Sequence, residues 1–366
     1  MAMVSVYPPA EAPPVACAQE GARARGHSEP MADRIRWGIL STANIAVKRF
    51  IPGVVASRNG VVAAIAGRDR AKTEAVAARL GIPRVHDGYA ALLADPDIDA
   101  IYNPLPNSLH AEWTLAAAAA GKPILCEKPL AIDASQAQAV VDGCRERGVL
   151  LMEAFMYRFH PQHARVRELI AENEIGDVRT FRASFNFMLE PFDPKNVRLQ
   201  RGLAGGALMD VGCYAVNAAR SIFGEEPTWV SAQSDRREEF GVEVAMAGIL
   251  GFSDRRMATF DCGFRAAGPG SYSIGGTKGA IDVTDAFVPD PNGDVTIVVS
   301  GREGRREERL AGIDQYKLEA EAFGDAIARG TPLPVEPEDA VANLRALEAL
   351  HRSAATGGRR ETPAVI

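Results

Sequence analysis

"RWGILSTANIA", residues 36–46, runs an apolar stretch into a tight turn and then into residues of helical pattern. At such a junction a dinucleotide-binding fingerprint reads G-x-G-x-x-G. One glycine makes the turn, one lets the pyrophosphate approach, and one lets helix and strand pack. Here those positions hold Ser41, Ala43 and Ala46. All three are small. Ser can make a tight turn, and Ala43 adds a single methyl where a phosphate would pass. The N-terminus of the following helix still offers N–H groups to an anion. Taken alone, the stretch reads equally well as a nucleotide turn and as an ordinary strand–helix junction.

What surrounds it bears on the choice. "IRWGIL" (35–40), "VVAAIAG" (61–67), "IDAIYNPL" (98–105), "PILCEKP" (123–129) and "VLLMEAF" (149–155) are nearly continuous apolar runs. Strands buried on both faces of a parallel sheet have this pattern. Helical stretches separate them, two ending at Gly121 and Gly148, with Asn107 and Asp133 as N-cap candidates. Repeated β-α-β units with short links predict a doubly wound Rossmann sheet, which binds ligands at the carboxyl ends of its strands.

Beyond about residue 176 the period changes. "VRTFRASFNF", "VEVAMAGILGF", "RMATFDCGF", "AIDVTDAF" and "DVTIVVS" are strand-like, several alternating apolar and polar residues. They predict a largely antiparallel sheet with one solvated or partner-covered face. One helix falls among them, "GALMDVGCYAVNAARSIFG" (206–224), and two more close the chain at about 315–329 and 337–356. The fold class expected is α/β. Residues 33–155 form a dinucleotide-binding domain and 156–356 a substrate-binding and oligomerisation domain. A disordered leader (1–32) and a tail (357–366) flank them.

Composition is that of a globular protein: 366 residues, 47% hydrophobic, 24% charged, net charge −6. This charge gives no reason to expect nucleic acid or an anionic membrane as partner, and no apolar run reaches the roughly 18–20 residues of a membrane span. The five cysteines (17, 126, 144, 213 and 262) contain no C-x-x-C pair and are odd in number. This argues against a zinc site or disulfide framework and fits a reducing cytoplasm. Residues 1–32 are rich in Pro and Ala, without the regions of a signal peptide; Met31 is a candidate natural start.

Several stretches carry chemistry. "AIAGRDRAK" places Arg68 and Asp69 directly after the second strand. There an acid would hold the ribose 2′-hydroxyl of NAD and an arginine the 2′-phosphate of NADP. Arg68 favours NADP; Asp69 leaves NAD open. In "YNPLPNSLHAEWT" (102–114), Asn107 or Ser108 is placed to cap a helix, with His110 in its first turn. In "CEKPLA" (126–131), Lys128 stands at a strand end and is stiffened by Pro129, whose peptide bond can be cis. In "AGGALMDVGCYAVN" (204–217), Asp210 and Tyr214 are four apart on one helical face, with Asn217 a turn further. Nearby positive charge would bring the tyrosine toward acid–base work. Each stretch alone also has a purely structural reading.

Together, and in this order with "EAFMYRFHP" (153–161), these stretches resemble the glucose–fructose oxidoreductase/inositol dehydrogenase/MocA family over residues 33–356. The joined "EKP" and "GGALMDVGCY" are the specific part. The resemblance implies a Rossmann domain followed by an open, mostly antiparallel sheet whose outer face makes a homodimer or homotetramer. It implies hydride transfer between nicotinamide and a hydroxyl-bearing carbon of a sugar, cyclitol or related diol. Lys128 is then the active-site lysine, Asp210 the substrate-binding acid and Tyr214 the proton donor or acceptor, with Arg158 also toward substrate. The implied cofactor contacts are Ser41, Thr42, Ala43, Asn44, Ile45, Arg68, Pro104, Asn107, His110, Glu127 and Lys128. Many relatives carry His at the position of Tyr214; Tyr is similar to the branch of NADP-linked xylose dehydrogenases and dihydrodiol dehydrogenase. Arg158 and His160 are expected to face the crevice. Arg198 and Arg201 in "NVRLQRGL" are lid candidates, equally readable as surface charge. An NADP-preferring sugar dehydrogenase is the expectation. A glucose–fructose-oxidoreductase-like enzyme with tightly held NADP, a non-catalytic dinucleotide sensor and a structural scaffold are the alternatives.

Overall fold

The computed structural model describes residues 34–364 apart from 269 and 303. The expected leader at 1–32, with Cys17 and Met31, lies outside the described residues. The first apolar run is β1 (Ile35–Leu40), inside a six-stranded parallel sheet of order β3-β2-β1-β4-β5-β6. Its partners are β2 (Gly60–Ala66), β3 (Arg84–His86), β4 (Ala100–Asn103), β5 (Ile124–Glu127) and β6 (Leu151–Ala154). This is the dinucleotide-binding strand order. Both faces of β1 are covered, which is why its sequence does not alternate. On one side Trp37 packs edge-on against Phe50, and Phe50 stacks on Tyr102 with centroids 3.7 Å apart. On the other, a Cβ at Gly38 would lie 2.7 Å from Leu92 Cδ2, so only glycine lets that helix approach.

The covering helices are α1 (Ile51–Ala56), continuous with a π-turn at Ala46–Phe50, then α2 (Arg70–Leu80), α3 (Tyr89–Leu93), α4 (Asn107–Ala119) and α5 (Ala134–Glu146). Asp133 caps α5 as expected, accepting from the Gln136 N–H at 2.7 Å. Gly121 and Gly148 follow α4 and α5 with φ of +70° and +64°. Asn107 does not cap α4. Pro106 stands at the cap, and the Asn107 amide donates to the Ala204 carbonyl at 2.8 Å.

After α6 (Pro161–Ala171) comes an eight-stranded sheet of order β14-β13-β12-β11-β7-β10-β9-β8. Its strands are β7 (Val178–Asn186), β8 (Trp229–Arg237), β9 (Val242–Gly251), β10 (Met257–Gly263), β11 (Ser271–Gly276), β12 (Gly279–Val283), β13 (Val295–Gly301) and β14 (Gly304–Leu310). Every neighbouring pair is antiparallel except β7 with β10. Along β10, Ala258, Phe260 and Cys262 are buried while Met257, Thr259 and Asp261 face outward. The buried face packs under a helix formed by a π-turn at Leu208–Gly212 and α7 (Cys213–Phe223). The sequence alone predicts one uninterrupted α-helix there.

α8 (Gln315–Arg329) and α9 (Pro337–Ala355) end the chain. α8 comes late in sequence yet returns to the parallel sheet: Ala320 and Phe323 join the cluster of Trp37 and Phe50. The Asn59 amide donates to the Glu321 carbonyl at 2.9 Å, and Arg58 pairs with Asp325. Cys126, Cys144, Cys213 and Cys262 are buried and unpaired. Among the described residues no helix is long and apolar enough to cross a membrane.

Candidate active site

Ser41 leaves β1 with a φ of +86°. That region is open to glycine and uncommon for other residues, so Ser41 keeps the backbone the missing glycine would serve. Its N–H donates to the Ala66 carbonyl at 2.7 Å, and its Oγ accepts from the Ala43 N–H at 3.2 Å. The helix starts at once, its first bond running from the Val47 N–H to the Ala43 carbonyl at 3.0 Å. N–H groups of a first turn have no intrahelical partner. Thr42, Ala43 and Ile45 are partly exposed here and Asn44 is exposed.

At the end of β2, Arg68 and Asp69 are engaged differently. The Asp69 carboxylate caps α2, accepting from the Lys72 N–H at 3.0 Å. Arg70 is bound to Glu74 and Asp87. Arg68 is exposed and makes no hydrogen bond or ion pair among the described residues.

Lys128 directly follows β5, and the Lys128–Pro129 bond is cis. The turn is braced from two sides. The Leu130 N–H donates to Glu153 Oε1 at 2.8 Å. His110 lies between two carbonyls, Nδ1 at 2.7 Å from Pro129 and Nε2 at 2.6 Å from Leu105. Burial pushes the imidazole pKa down to about 4, against the opposite pull of the two carbonyls. His110, for which the resemblance implied a cofactor contact, is buried here and braces the lysine turn. Pro104 is buried in the same loop. Glu127 turns inward and accepts from the Tyr102 hydroxyl at 2.5 Å. Its burial is the dominant influence and raises its pKa despite Lys128 and Tyr102.

The helix carrying Asp210 is seated by two glycines. A Cβ on Gly205 would lie 2.4 Å from the Arg198 carbonyl, and one on Gly206 2.5 Å from Glu243 Oε1. Gly206 also has a φ of +121°. Glu243 in turn accepts from the Leu208 N–H at 3.0 Å, anchoring the helix start. So placed, the Asp210 backbone carbonyl accepts from Lys128 Nζ at 2.6 Å, and its Oδ1 lies 3.7 Å from the same nitrogen. Its Oδ2 accepts from Arg198 Nε at 2.6 Å. Burial alone pulls the Lys128 pKa down. Cys213, Asp210 and Glu127 outweigh it, and the net shift is upward, so the side chain is an ammonium.

Tyr214 closes the cluster. Lys128 Nζ lies over its ring, 5.0 Å from the centroid. Phe155, Phe185 and Phe287 surround the ring, and its hydroxyl donates to Met156 Sδ at 3.3 Å. The condition set for acid–base work, a positive charge near the phenol oxygen, is not met by Lys128 alone. Burial raises the phenol pKa well above the ordinary value, with Tyr316 and Glu127 adding to the rise, because the ammonium meets the ring face and not the oxygen.

Arg158 and His160 also depart from expectation. Arg158 is ion-paired with Asp339 of α9 at 2.9 Å, inside a network that includes Arg220 and the Asn217 amide. His160 is buried and caps α6. Neither is brought to Lys128; the arginine that reaches Asp210 is Arg198. The sequence motifs assign no role to the bracing acids Glu153 and Glu243. Their signal is a carboxylate inside an otherwise apolar strand run, which burial makes costly unless it has a partner. Burial pushes Glu153 up to about 8.

A dinucleotide-type sheet whose carboxyl edge carries a lysine, met there by an acid and a tyrosine from a later helix, defines a pyridine-nucleotide oxidoreductase. Comparison with known proteins agrees. Residues 35–155 match the family model of the oxidoreductase family with NAD-binding Rossmann fold, and residues 163–282 match that of the GFO/IDH/MocA C-terminal domain. The chain is 42% identical to D-xylose 1-dehydrogenase (NADP(+)) 2 of Haloferax volcanii, over 89% of this chain and 99% of that one. It is 36% identical to trans-1,2-dihydrobenzene-1,2-diol dehydrogenase of Xenopus tropicalis, over 73% of this chain and 79% of that one. A crystal structure of a 3-ketoreductase from Actinomadura kijaniata in complex with NADP and TDP-benzene superposes with a TM-score of 0.83 at 32% identity, covering 87% of this chain and 98% of that one. The protein belongs to the glucose–fructose oxidoreductase/inositol dehydrogenase/MocA family of oxidoreductases.

Proposed function

We propose that the protein is an NADP-preferring dehydrogenase of aldoses or similar polyols, resembling D-xylose dehydrogenase. The observation that carries this is the meeting of Lys128, Asp210 and Tyr214 at the carboxyl edge of the parallel sheet, the edge that also holds the turn at Ser41. A positive-φ turn residue, open first-turn N–H groups and an unpaired arginine at the next strand end fit a phosphorylated dinucleotide. In this reading Ser41, Thr42, Ala43, Asn44 and Ile45 hold the pyrophosphate and Arg68 the 2′-phosphate. Glu127, Pro104 and Asn107 shape the floor and walls. The bound nicotinamide supplies hydride acceptance and donation. Lys128 holds the reacting oxygen, Asp210 accepts a neighbouring substrate hydroxyl, and Tyr214 Oη exchanges the proton.

The assignment is tested by a spectrophotometric screen of aldoses, cyclitols and diols with NADP+ and NAD+ in parallel. Turnover with NADP+ on at least one aldose or polyol is expected; none across the panel favours a non-catalytic sensor. NADP+ retained through extensive dialysis would instead favour the glucose–fructose-oxidoreductase-like reading. Arg68→Ala should lower kcat/KM with NADP+ by about ten- to a hundredfold, the effect of losing one charge-assisted phosphate contact. The NAD+ value should hardly move, and an equal fall with both would remove Arg68 from the phosphate site. Ala43→Val should weaken NADPH binding, read by fluorescence titration, by about tenfold or more, before any loss of thermal stability.

The finer placement of the molecule belongs to the same proposal. The domain boundary is set at 155/156, with α8 returning across it. A homodimer or homotetramer forms through the outer face of the second sheet. That face exposes Ile249 and Met257 and carries a broad depression lined by Arg182, Gln233 and Asp261. Light scattering gives the subunit number. Four buried, unpaired thiols suit a cytoplasmic protein.

A further inference from the structure

Arg198 is built into the site in a way the established chemistry does not use. The segment bearing it is pressed against the start of the Asp210 helix. The Gly206 N–H donates to the Arg198 carbonyl at 2.9 Å, and the absent side chain of Gly205 makes room for that same carbonyl. From there the guanidinium lies over the Phe187 ring, 5.5 Å from its centroid, which orients its plane. Only Nε is engaged, on Asp210 Oδ2; Nη1 and Nη2 have no partner among the described residues. The Arg198 side chain is 40% exposed and Asp210 19%, while Lys128 is 12% exposed. The three form a ladder from the interior outward, with one carboxylate between two cations.

We propose that Arg198, with Asp210, selects substrates that carry a second hydroxyl on the carbon next to the reacting one: vicinal diols, cyclic or sugar-derived. The proposal rests on the dehydrogenase reading above. A hydroxyl both donates and accepts. The Asp210 carboxylate accepts a hydrogen bond from it, and the outward N–H groups of Arg198 donate hydrogen bonds to its lone pairs. The reacting hydroxyl sits one carbon deeper, toward Lys128 and Tyr214. A substrate with hydrogen at the neighbouring carbon leaves a half-buried carboxylate and guanidinium without a substrate partner. Sites built to hydrogen-bond a hydroxyl reject analogues lacking it strongly for this reason. Methionine at 198 would keep a flexible stem against Phe187 while removing every donor.

The test compares wild type, Arg198→Met and Arg198→Lys on two pairs with NADP+: D-glucose against 2-deoxy-D-glucose, and trans-1,2-cyclohexanediol against cyclohexanol. Wild type should prefer the vicinal diol of a pair by about a hundredfold or more in kcat/KM. Arg198→Met should reduce that ratio at least tenfold, chiefly through KM of the diol, with Arg198→Lys between. NADPH titration and thermal melting report whether cofactor site and fold are retained. A ratio unchanged in Arg198→Met, or both members of a pair falling equally, overturns the proposal, since Arg198 would then only steady Asp210. A wild type that turns over aldoses but shows no preference for the second hydroxyl also overturns it, leaving the dehydrogenase reading intact. Wild type inert on every aldose, cyclitol and diol sinks both.

Discussion

Lys128→Ala should lower kcat/KM with NADP+ and an accepted sugar by about a thousandfold or more, while NADPH dissociation changes by no more than about threefold. The size follows from what the ammonium does. It is largely buried, its net pKa shift is upward, and it is aimed at Asp210 and the face of Tyr214. A preorganised cation in a site closed to water stabilises charge developing on the reacting oxygen far more than the same cation in water. The turn itself should survive. The Leu130 N–H is held by Glu153 and the Pro129 carbonyl is braced by His110, so neither contact depends on the lysine side chain. What changes besides catalysis is Glu127, which loses its nearest cation and is held protonated to still higher pH. Initial rates, NADPH fluorescence and thermal melting on one preparation separate these effects. Turnover within tenfold of wild type would remove Lys128 from the active site.

How far the sequence carried can be argued strand by strand. β1 spans the same residues as its apolar run, because a strand covered on both faces is apolar nearly throughout; Arg36, its one charged residue, lies near its start and pairs with Asp97 and Asp99. The second sheet was harder. β8 and β14 are its two edges, and "WVSAQSDRR" and "GRREERL" are polar because edge strands meet water and are protected by charge. β3 and α3, at three and five residues, are too short to show a period. At the site, Lys128, Asp210 and Tyr214 were legible because each sits at a structural landmark: a strand end before proline, and one face of a helix behind paired glycines. The arginines were less so: Arg198 reads as a lid candidate or as surface charge, and Arg158 as a substrate contact, with the carboxylate partner of neither visible. Arg158 meets Asp339 across 181 residues and Arg198 meets Asp210 across 12. Nothing local distinguishes the two guanidinium groups; only the packing of α9 and the backbone room at Gly205 does. The π-turn at Leu208–Gly212 is likewise invisible to a 3.6-residue pattern, and it sits at a functional helix, as such turns often do.

Tyr214→Phe is the cleaner probe of proton transfer, because the structure isolates the hydroxyl. The ring is held by Phe155, Phe185 and Phe287, and phenylalanine fills the same aromatic box. The hydroxyl has one weak partner, Met156 Sδ at 3.3 Å, so its loss leaves no strong donor or acceptor stranded. Stability should stay within about 1 kcal/mol of wild type, while kcat falls by about 10²- to 10⁴-fold, the span of general acid–base catalysis. The raised phenol pKa gives the sign of the pH dependence. With burial holding Tyr214 protonated well into the alkaline range, the wild type carries the proton donor needed for carbonyl reduction throughout neutral pH. Reduction should therefore be flat from pH 6 to 9. Oxidation needs the phenolate, which is scarce at neutral pH and becomes about tenfold commoner with each pH unit below the pKa. Its kcat/KM should accordingly climb across the same interval. Tyr214→Phe abolishes the climb as well as the rate, whereas a residue that merely packs would lower the rate and leave the pH profile in place. A wild-type oxidation rate flat with pH, or a climb that persists in Tyr214→Phe, would assign the proton to another group.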